Sequence, residues 1–105
     1  MFVQIEVLVV PDCPNHPIAL TRVQTALAVA GIVDAVVRTK VIVELAQAET
    51  VGMHGSPTIL IDGRDPFAVD DSAASISCRL YRSTTGTSGC PTVDEFVEAI
   101  NASLS

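Results

Sequence analysis

A run of apolar and β-branched residues from Phe2 to Val10 opens the chain and stops at Pro11. The run is far shorter than the roughly 18 apolar residues that a membrane span requires. A short, nearly continuous run rich in Val and Ile is typical of a strand that is buried on both faces. We therefore expect a central strand in a sheet that helices cover on both sides.

The length of the chain, 105 residues, is that of one compact domain, so we expect a single domain over residues 1–105. Its formal net charge of -6 repels phosphate backbones, and no cluster of Lys or Arg reverses this field. The opening run lacks a basic leader and contains Glu6, so it does not resemble a signal peptide. We expect a cytoplasmic protein that binds neither nucleic acid nor membrane.

The remaining elements follow from apolar periodicity and turn residues. They are a helix from Pro14 to Ala30, an edge strand from Ile32 to Val43, a short helix from Glu44 to Val51, strands from Thr58 to Ile61 and Ile76 to Arg82, and a final helix that starts at a capping box of Thr92 and Glu95. Arg64 to Ser75 and Ser83 to Pro91 predict loops. The order β-α-β-α-β-β-α predicts an α/β fold with a mixed four-stranded sheet and helices on both faces. Its first two strands would be parallel and its last two an antiparallel hairpin.

Cys13 stands where the first strand ends and the first helix begins, and we expect it to be the N-cap of that helix. Pro14 would then occupy N1, where proline is tolerated. The free N–H groups and the positive end of the helix dipole favour a thiolate at such a position. His16, three residues on, can add a hydrogen bond or, when protonated, a charge. We predict a reactive thiol at Cys13; the alternative is a small buried residue.

Cys13-Pro14-Asn15-His16, after a hydrophobic strand, resembles the active-site motif of thioredoxin-like proteins. The segment from Val51 to Thr58 resembles the cis-proline loop of the same superfamily. The segments Gly55 to Thr58, Asp62 to Phe67 and Ser77 to Arg82 also look like a group of small stand-alone thioredoxin-family proteins of mostly unassigned function.

This resemblance implies a thioredoxin-like fold in which a cis Pro57 faces Cys13. It further implies that Pro14, Ser56, Pro57 and Thr58 bind the substrate. Ser56 would offer its backbone to an incoming peptide as a strand-like partner, and its hydroxyl to the thiolate of Cys13. The alternative for Pro57 is an ordinary trans proline that opens a strand.

The chain departs from the dithiol members of the superfamily at His16, where they carry a second cysteine. A mixed disulfide on Cys13 would then be resolved by glutathione or another small thiol, or by one of the two distal cysteines. In the predicted hairpin Cys78 is a buried strand residue, more than ~10 Å from Cys13 at about 3.4 Å per strand residue. Cys90, in a loop on the same side as Cys13, is the better candidate.

The leading functional hypothesis is a thiol–disulfide oxidoreductase that acts through Cys13 on a protein or small-molecule disulfide or glutathionylated thiol. The sequence has no P-loop and no zinc-type cysteine spacing, so we predict no cofactor and no metal site. Two alternatives stay open, namely a non-catalytic thioredoxin-like binding module and a thiol protein that handles soft metals or mercurials.

Overall fold

The computed structural model describes residues 3–68, 73–83 and 86–104. Parts of both predicted loops, residues 69–72 and 84–85, lie outside these ranges. The strands are β1 (Val3–Val9), β2 (Ala35–Val41), β3 (His54–Ser56), β4 (Thr58–Ile61), β5 (Ser75–Cys78), β6 (Tyr81–Ser83) and β7 (Gly86–Ser88). The helices are α1 (His16–Val29), α2 (Leu45–Val51) and α3 (Val93–Leu104). None of the described helices is both long and apolar enough to span a membrane.

The main sheet has three strands in the order β2-β1-β4. β1 is parallel to β2, with Val3 opposite Ala35, and antiparallel to β4, with Leu8 opposite Thr58. The predictions that the first strand is central, that the second lies at an edge and that the two are parallel are confirmed. The protein is therefore a mixed α/β domain with both parallel and antiparallel strand pairs.

Helices cover both faces of this sheet, as predicted. Alternate residues of β1 point to a large cluster that also contains residues of α1, α3 and β4, and Phe96 and Ile100 of α3 are fully buried there. A smaller cluster on the opposite face joins Ala48 of α2 to Leu8 and Leu60. Gln4, at the other end of β1, is exposed on that second face. The core is built mostly from aliphatic side chains, and Phe96 is its largest fully buried side chain.

The predicted four-stranded sheet and its terminal hairpin are wrong for the described residues. β5 pairs in parallel with the short strand β3 and not antiparallel with β4, and β6 and β7 form a separate two-stranded ribbon. The predicted strand from Ile76 to Arg82 is divided because the side chain of Arg79 turns inward to an ion pair with Asp65.

The two later helices begin as their sequences predict. At α2, the side chain of Gln47 accepts hydrogen bonds from the backbone of Val43 and Glu44, and Gly52 ends the helix with φ +75°. At α3, the N–H of Thr92 donates to Glu95 Oε1 at 2.9 Å, while the N–H of Glu95 donates to Thr92 Oγ1 at 3.1 Å. The capping box is therefore confirmed.

Candidate functional site

Cys13 lies in the turn between β1 and α1, where it is partly exposed and packs against the large core cluster. Its N–H donates to the carbonyl of Val10 at 3.3 Å, and its carbonyl accepts the N–H of His16 at 3.2 Å. Asp12, just before it, has a φ of +59°, a left-handed conformation that aspartate tolerates better than most residues. Two backbone hydrogen bonds therefore fix the position of the cysteine.

The helix begins two residues later than the sequence predicts. Asn15 is the N-cap, His16 the first helical residue and Pro17 the second, so neither Cys13 nor Pro14 takes its predicted place. The reason is the turn from Cys13 to His16, which closes before the helical hydrogen bonds start. Pro14 lies inside this turn and is exposed.

The imidazole of His16 is held by the neighbouring edge strand. Its Nε2 lies 3.0 Å from Thr39 Oγ1 of β2. The backbone of His16 touches the cysteine through the bond to the Cys13 carbonyl, whereas the ring is tied to β2. The action of the imidazole on the thiol stays a prediction.

The loop between β3 and β4 contains a cis peptide bond between Ser56 and Pro57, the isomer that the resemblance implies. The hydroxyl of Ser56 accepts the N–H of Val10 at 3.1 Å. Because the carbonyl of Val10 accepts the N–H of Cys13, one residue connects the cis-proline loop to the cysteine turn. The two motifs are far apart in the sequence and come together only in the folded protein.

The predicted substrate-binding residues of this loop are all buried, with Ser56 2% and Thr58 0% exposed. The hydroxyl of Thr58 donates to the carbonyl of Gly55 at 2.6 Å and accepts the N–H of His54 at 3.1 Å. These bonds stay within the loop, so they stabilise its shape. Substrate binding by Ser56, Pro57 and Thr58 stays a prediction.

Arg79 connects the loop to β5 and to the segment after β4. Its guanidinium lies 2.6 Å from Asp65, donates to the carbonyl of Phe67 at 2.7 Å and lies 4.5 Å from the centre of the Tyr81 ring. The side chains of Arg79 and Asp65 are only 9% and 6% exposed. The buried charge is thus paired and hydrogen-bonded, which is the condition for tolerating it.

Sequence reasoning missed this network as a structural unit, although its members stand in the three segments that carry the resemblance. The hydroxyl of Tyr81 donates to the carbonyl of Pro57, and the N–H of Arg79 donates to the carbonyl of Ser56 at 3.1 Å. Gly55 has a φ of +114°, and a Cβ there would lie 2.8 Å from the Cβ of Arg79. The three segments therefore converge on one contact network around the cis-proline loop.

Cys90 is 2% exposed and lies in the core cluster against which Cys13 packs. Burial raises the pKa of the Cys90 thiol, the nearby guanidinium of Arg22 lowers it in part, and charge on Cys13 raises it again. Arg22 Nη1 also donates to the carbonyls of Cys90 and Pro91, at 3.2 and 3.0 Å. Cys90 thus belongs to the buried cluster, whereas Cys13 lies at its partly exposed margin.

Cys78 does not lie where the predicted hairpin would place it. It is exposed rather than buried, and in the β3–β5 pair it lies opposite Ser56, beside the cis-proline loop. Its position differs from the predicted one because β5 pairs with β3 and not with β4. Cys13, Cys78 and Cys90 all carry free thiols.

No protein-family model, no curated protein and no solved structure matches this chain. The site consists of a partly exposed cysteine turn, a cis-proline loop tied to it through Val10, and a buried ion pair behind the loop.

Proposed function

We propose that this protein is a thiol–disulfide oxidoreductase in which the Cys13 thiolate attacks a disulfide substrate. The observation that supports the proposal most is the tie between the cysteine turn and the cis-proline loop, through the Ser56 hydroxyl and the backbone of Val10. A nucleophilic thiol needs both access and a fixed position, and Cys13 has partial exposure and two backbone hydrogen bonds.

The reaction has two thiol–disulfide exchanges. In the first, the Cys13 thiolate attacks one sulfur of the substrate disulfide, a new S–S bond forms on Cys13, and the other substrate sulfur leaves as a thiolate. In the second, the thiolate of a small thiol attacks the mixed disulfide, and the Cys13 thiolate leaves. These exchanges return Cys13 to its thiolate and use one molecule of the small thiol, which ends in a mixed disulfide with the retained substrate sulfur. A second molecule of the small thiol then attacks that mixed disulfide away from Cys13, so that the substrate disulfide is reduced by two electrons to two thiols and the small thiol is oxidised to its own disulfide.

An external small thiol is the expected second nucleophile because the thiolate is the reactive form of a thiol. Cys90 lies in the core cluster against which Cys13 packs, but it is 2% exposed and its burial raises the pKa of its thiol. Cys78 is exposed on β5, opposite Ser56. Resolution by Cys90 remains the intramolecular alternative, and it would leave a Cys13–Cys90 bridge in the oxidised protein.

The test measures exchange between bis(2-hydroxyethyl) disulfide and excess glutathione, with and without the protein. We expect catalysed exchange for the natural chain and for Cys78→Ser, and the uncatalysed rate for Cys13→Ser. The two variants form a matched pair, because each removes one accessible thiol. Intact-mass measurement after adding the disulfide alone should find a mixed disulfide in Cys78→Ser, which keeps Cys13, and none in the double variant Cys13→Ser/Cys78→Ser. Exchange that is unchanged in Cys13→Ser would refute the proposal.

Mass spectrometry of the protein oxidised without small thiols decides between the two resolving routes. A Cys13–Cys90 bridge assigns resolution to Cys90, whereas the absence of any intramolecular bridge assigns it to the external thiol. A bridge between Cys13 and Cys78 would exclude Cys90 from this role.

A further inference from the structure

Resting on the proposed function, we infer that the disulfide that Cys13 attacks belongs to a low-molecular-weight compound and not to an extended polypeptide. In β3 and the cis-proline loop, Ser56 is the residue expected to pair with an incoming strand. In this protein the chain's own groups already occupy that position.

One edge of β3 is paired with β5. His54 lies opposite Ser75, Ser56 lies opposite Cys78, and the carbonyl of Ser56 accepts the N–H of Arg79 at 3.1 Å. An extended peptide that binds by strand addition needs a free row of backbone donors and acceptors. At this edge of β3, the backbone donors and acceptors are already used by β5.

The opposite side of β3 faces the end of β1. Here the hydroxyl of Ser56 accepts the N–H of Val10 at 3.1 Å, and the side chain of Ser56 is 2% exposed. On this side the end of β1 thus holds the side chain of Ser56, while the other edge of β3 is paired with β5.

The residues after β3 offer no replacement. Pro57 has no N–H, and its carbonyl accepts the hydroxyl of Tyr81. Thr58 is fully buried, pairs with Leu8 and bonds its hydroxyl inside the loop. The carbonyls of Ser56 and Pro57 are thus both already bonded within the protein, to the N–H of Arg79 and the hydroxyl of Tyr81.

Displacement of β5 by a guest strand would break more than a strand pair. Arg79 follows β5 directly, and its guanidinium holds Asp65 and the carbonyl of Phe67 in a nearly buried site. Pulling β5 away would separate this ion pair, and an unpaired buried charge is costly. A small disulfide needs none of these groups, since it requires only access to the sulfur of the partly exposed Cys13.

The test compares two substrates that differ only in the length of the peptide that carries the reacting cysteine. One is the mixed disulfide of N-acetylcysteine amide with 2-nitro-5-thiobenzoate; the other replaces the first half with a blocked, linear peptide that carries one central cysteine. Both release the same coloured thiolate, so the second-order rate constants compare directly. The Cys78→Ser protein is used, because it removes the exposed thiol beside the loop.

We expect the two rate constants to agree within about threefold, or the peptide to be slower. Two strand hydrogen bonds of ordinary strength would accelerate the peptide by about tenfold or more. A peptide that reacts more than about threefold faster, with the advantage lost in Cys13→Ser, would overturn the inference and leave the proposed function intact. Rates that do not depend on Cys13 at all would instead refute the proposed function.

Discussion

The ion pair between Arg79 and Asp65 carries the most quantitative prediction. Both side chains are nearly buried, at 9% and 6% exposure, and the shortest distance between them is 2.6 Å. Asp65→Asn leaves the guanidinium of Arg79 with the Phe67 carbonyl, the Thr58 hydroxyl and the Tyr81 ring, but without a counter-charge. Removing one partner of a buried pair typically costs about 3–5 kcal/mol.

We expect the lower end of that range, about 3 kcal/mol, because three neutral partners of Arg79 remain. A domain of this size has an unfolding free energy of about 5–15 kcal/mol, so the loss is a large fraction of the total. With a urea slope of about 2 kcal/mol per molar, the midpoint of unfolding should fall by about 1.5 M. Equilibrium urea unfolding, followed by circular dichroism, measures this shift.

A double-mutant cycle separates the pair from the rest of the network. Arg79→Met should cost about as much as Asp65→Asn, because it strands the Asp65 carboxylate, while the double variant should cost clearly less than the sum. We expect a coupling of at least about 2 kcal/mol. Arg38→Met and Asp34→Asn, at exposed positions, are the matched controls and should change stability by less than about 0.5 kcal/mol. Single variants that cost under about 1 kcal/mol, or a coupling near zero, would refute the reasoning.

Three further predictions follow from single contacts. Burial raises the pKa of Tyr81, the only tyrosine in the chain, so the folded protein keeps its phenol protonated while the unfolded chain loses the proton near pH 10. The contribution of Tyr81 to stability should therefore be unchanged below about pH 10 and should fall as the pH rises above it. The near-ultraviolet absorbance of tyrosinate should appear only with unfolding, and a titration that precedes unfolding would contradict this. Iodoacetamide at neutral pH should modify the exposed Cys78 well before Cys90, because burial of Cys90 raises the pKa of its thiol. Peptide mapping of the protein at successive times of alkylation measures the two rates, and equal rates would contradict the buried position of Cys90. Thr92→Ala should lower stability by about 1 kcal/mol in urea unfolding, because the Glu95 N–H loses its cap, whereas Thr92→Ser should restore most of it.

Elements whose signals lie within a few neighbouring residues could be predicted from the sequence. The β-branched run of β1, the αL glycine after α2 and the reciprocal bonds of Thr92 and Glu95 are all local. Local interactions fix an element's type and its ends. The central position of β1 followed as well, because a strand with few polar residues must be covered on both faces.

The pairing of β5 could not be predicted in this way. The residue that follows β5, Arg79, pairs with Asp65, which lies in another segment of the chain. β3, with the sequence His54-Gly55-Ser56, has no β-branched residue and so gives no strand signal. β7, Gly86–Ser88, has one β-branched residue, Thr87, but its three residues are exposed and show no apolar alternation. Tertiary contacts therefore decided the part of the sheet that local patterns left undetermined.

The difference between the predicted and the observed start of α1 is small, but it changes how Cys13 is held. The helix starts at His16 and not at Pro14, so Cys13 is held by the carbonyl of Val10 and the N–H of His16 instead of capping the helix. Val10 is in turn bound by Ser56, whose carbonyl is bound by the backbone of Arg79. The position of the sulfur thus depends on residues that do not touch it. Substitutions at the buried ion pair should consequently change exchange at Cys13 together with stability, whereas Cys78→Ser, at an exposed position, should leave both unchanged.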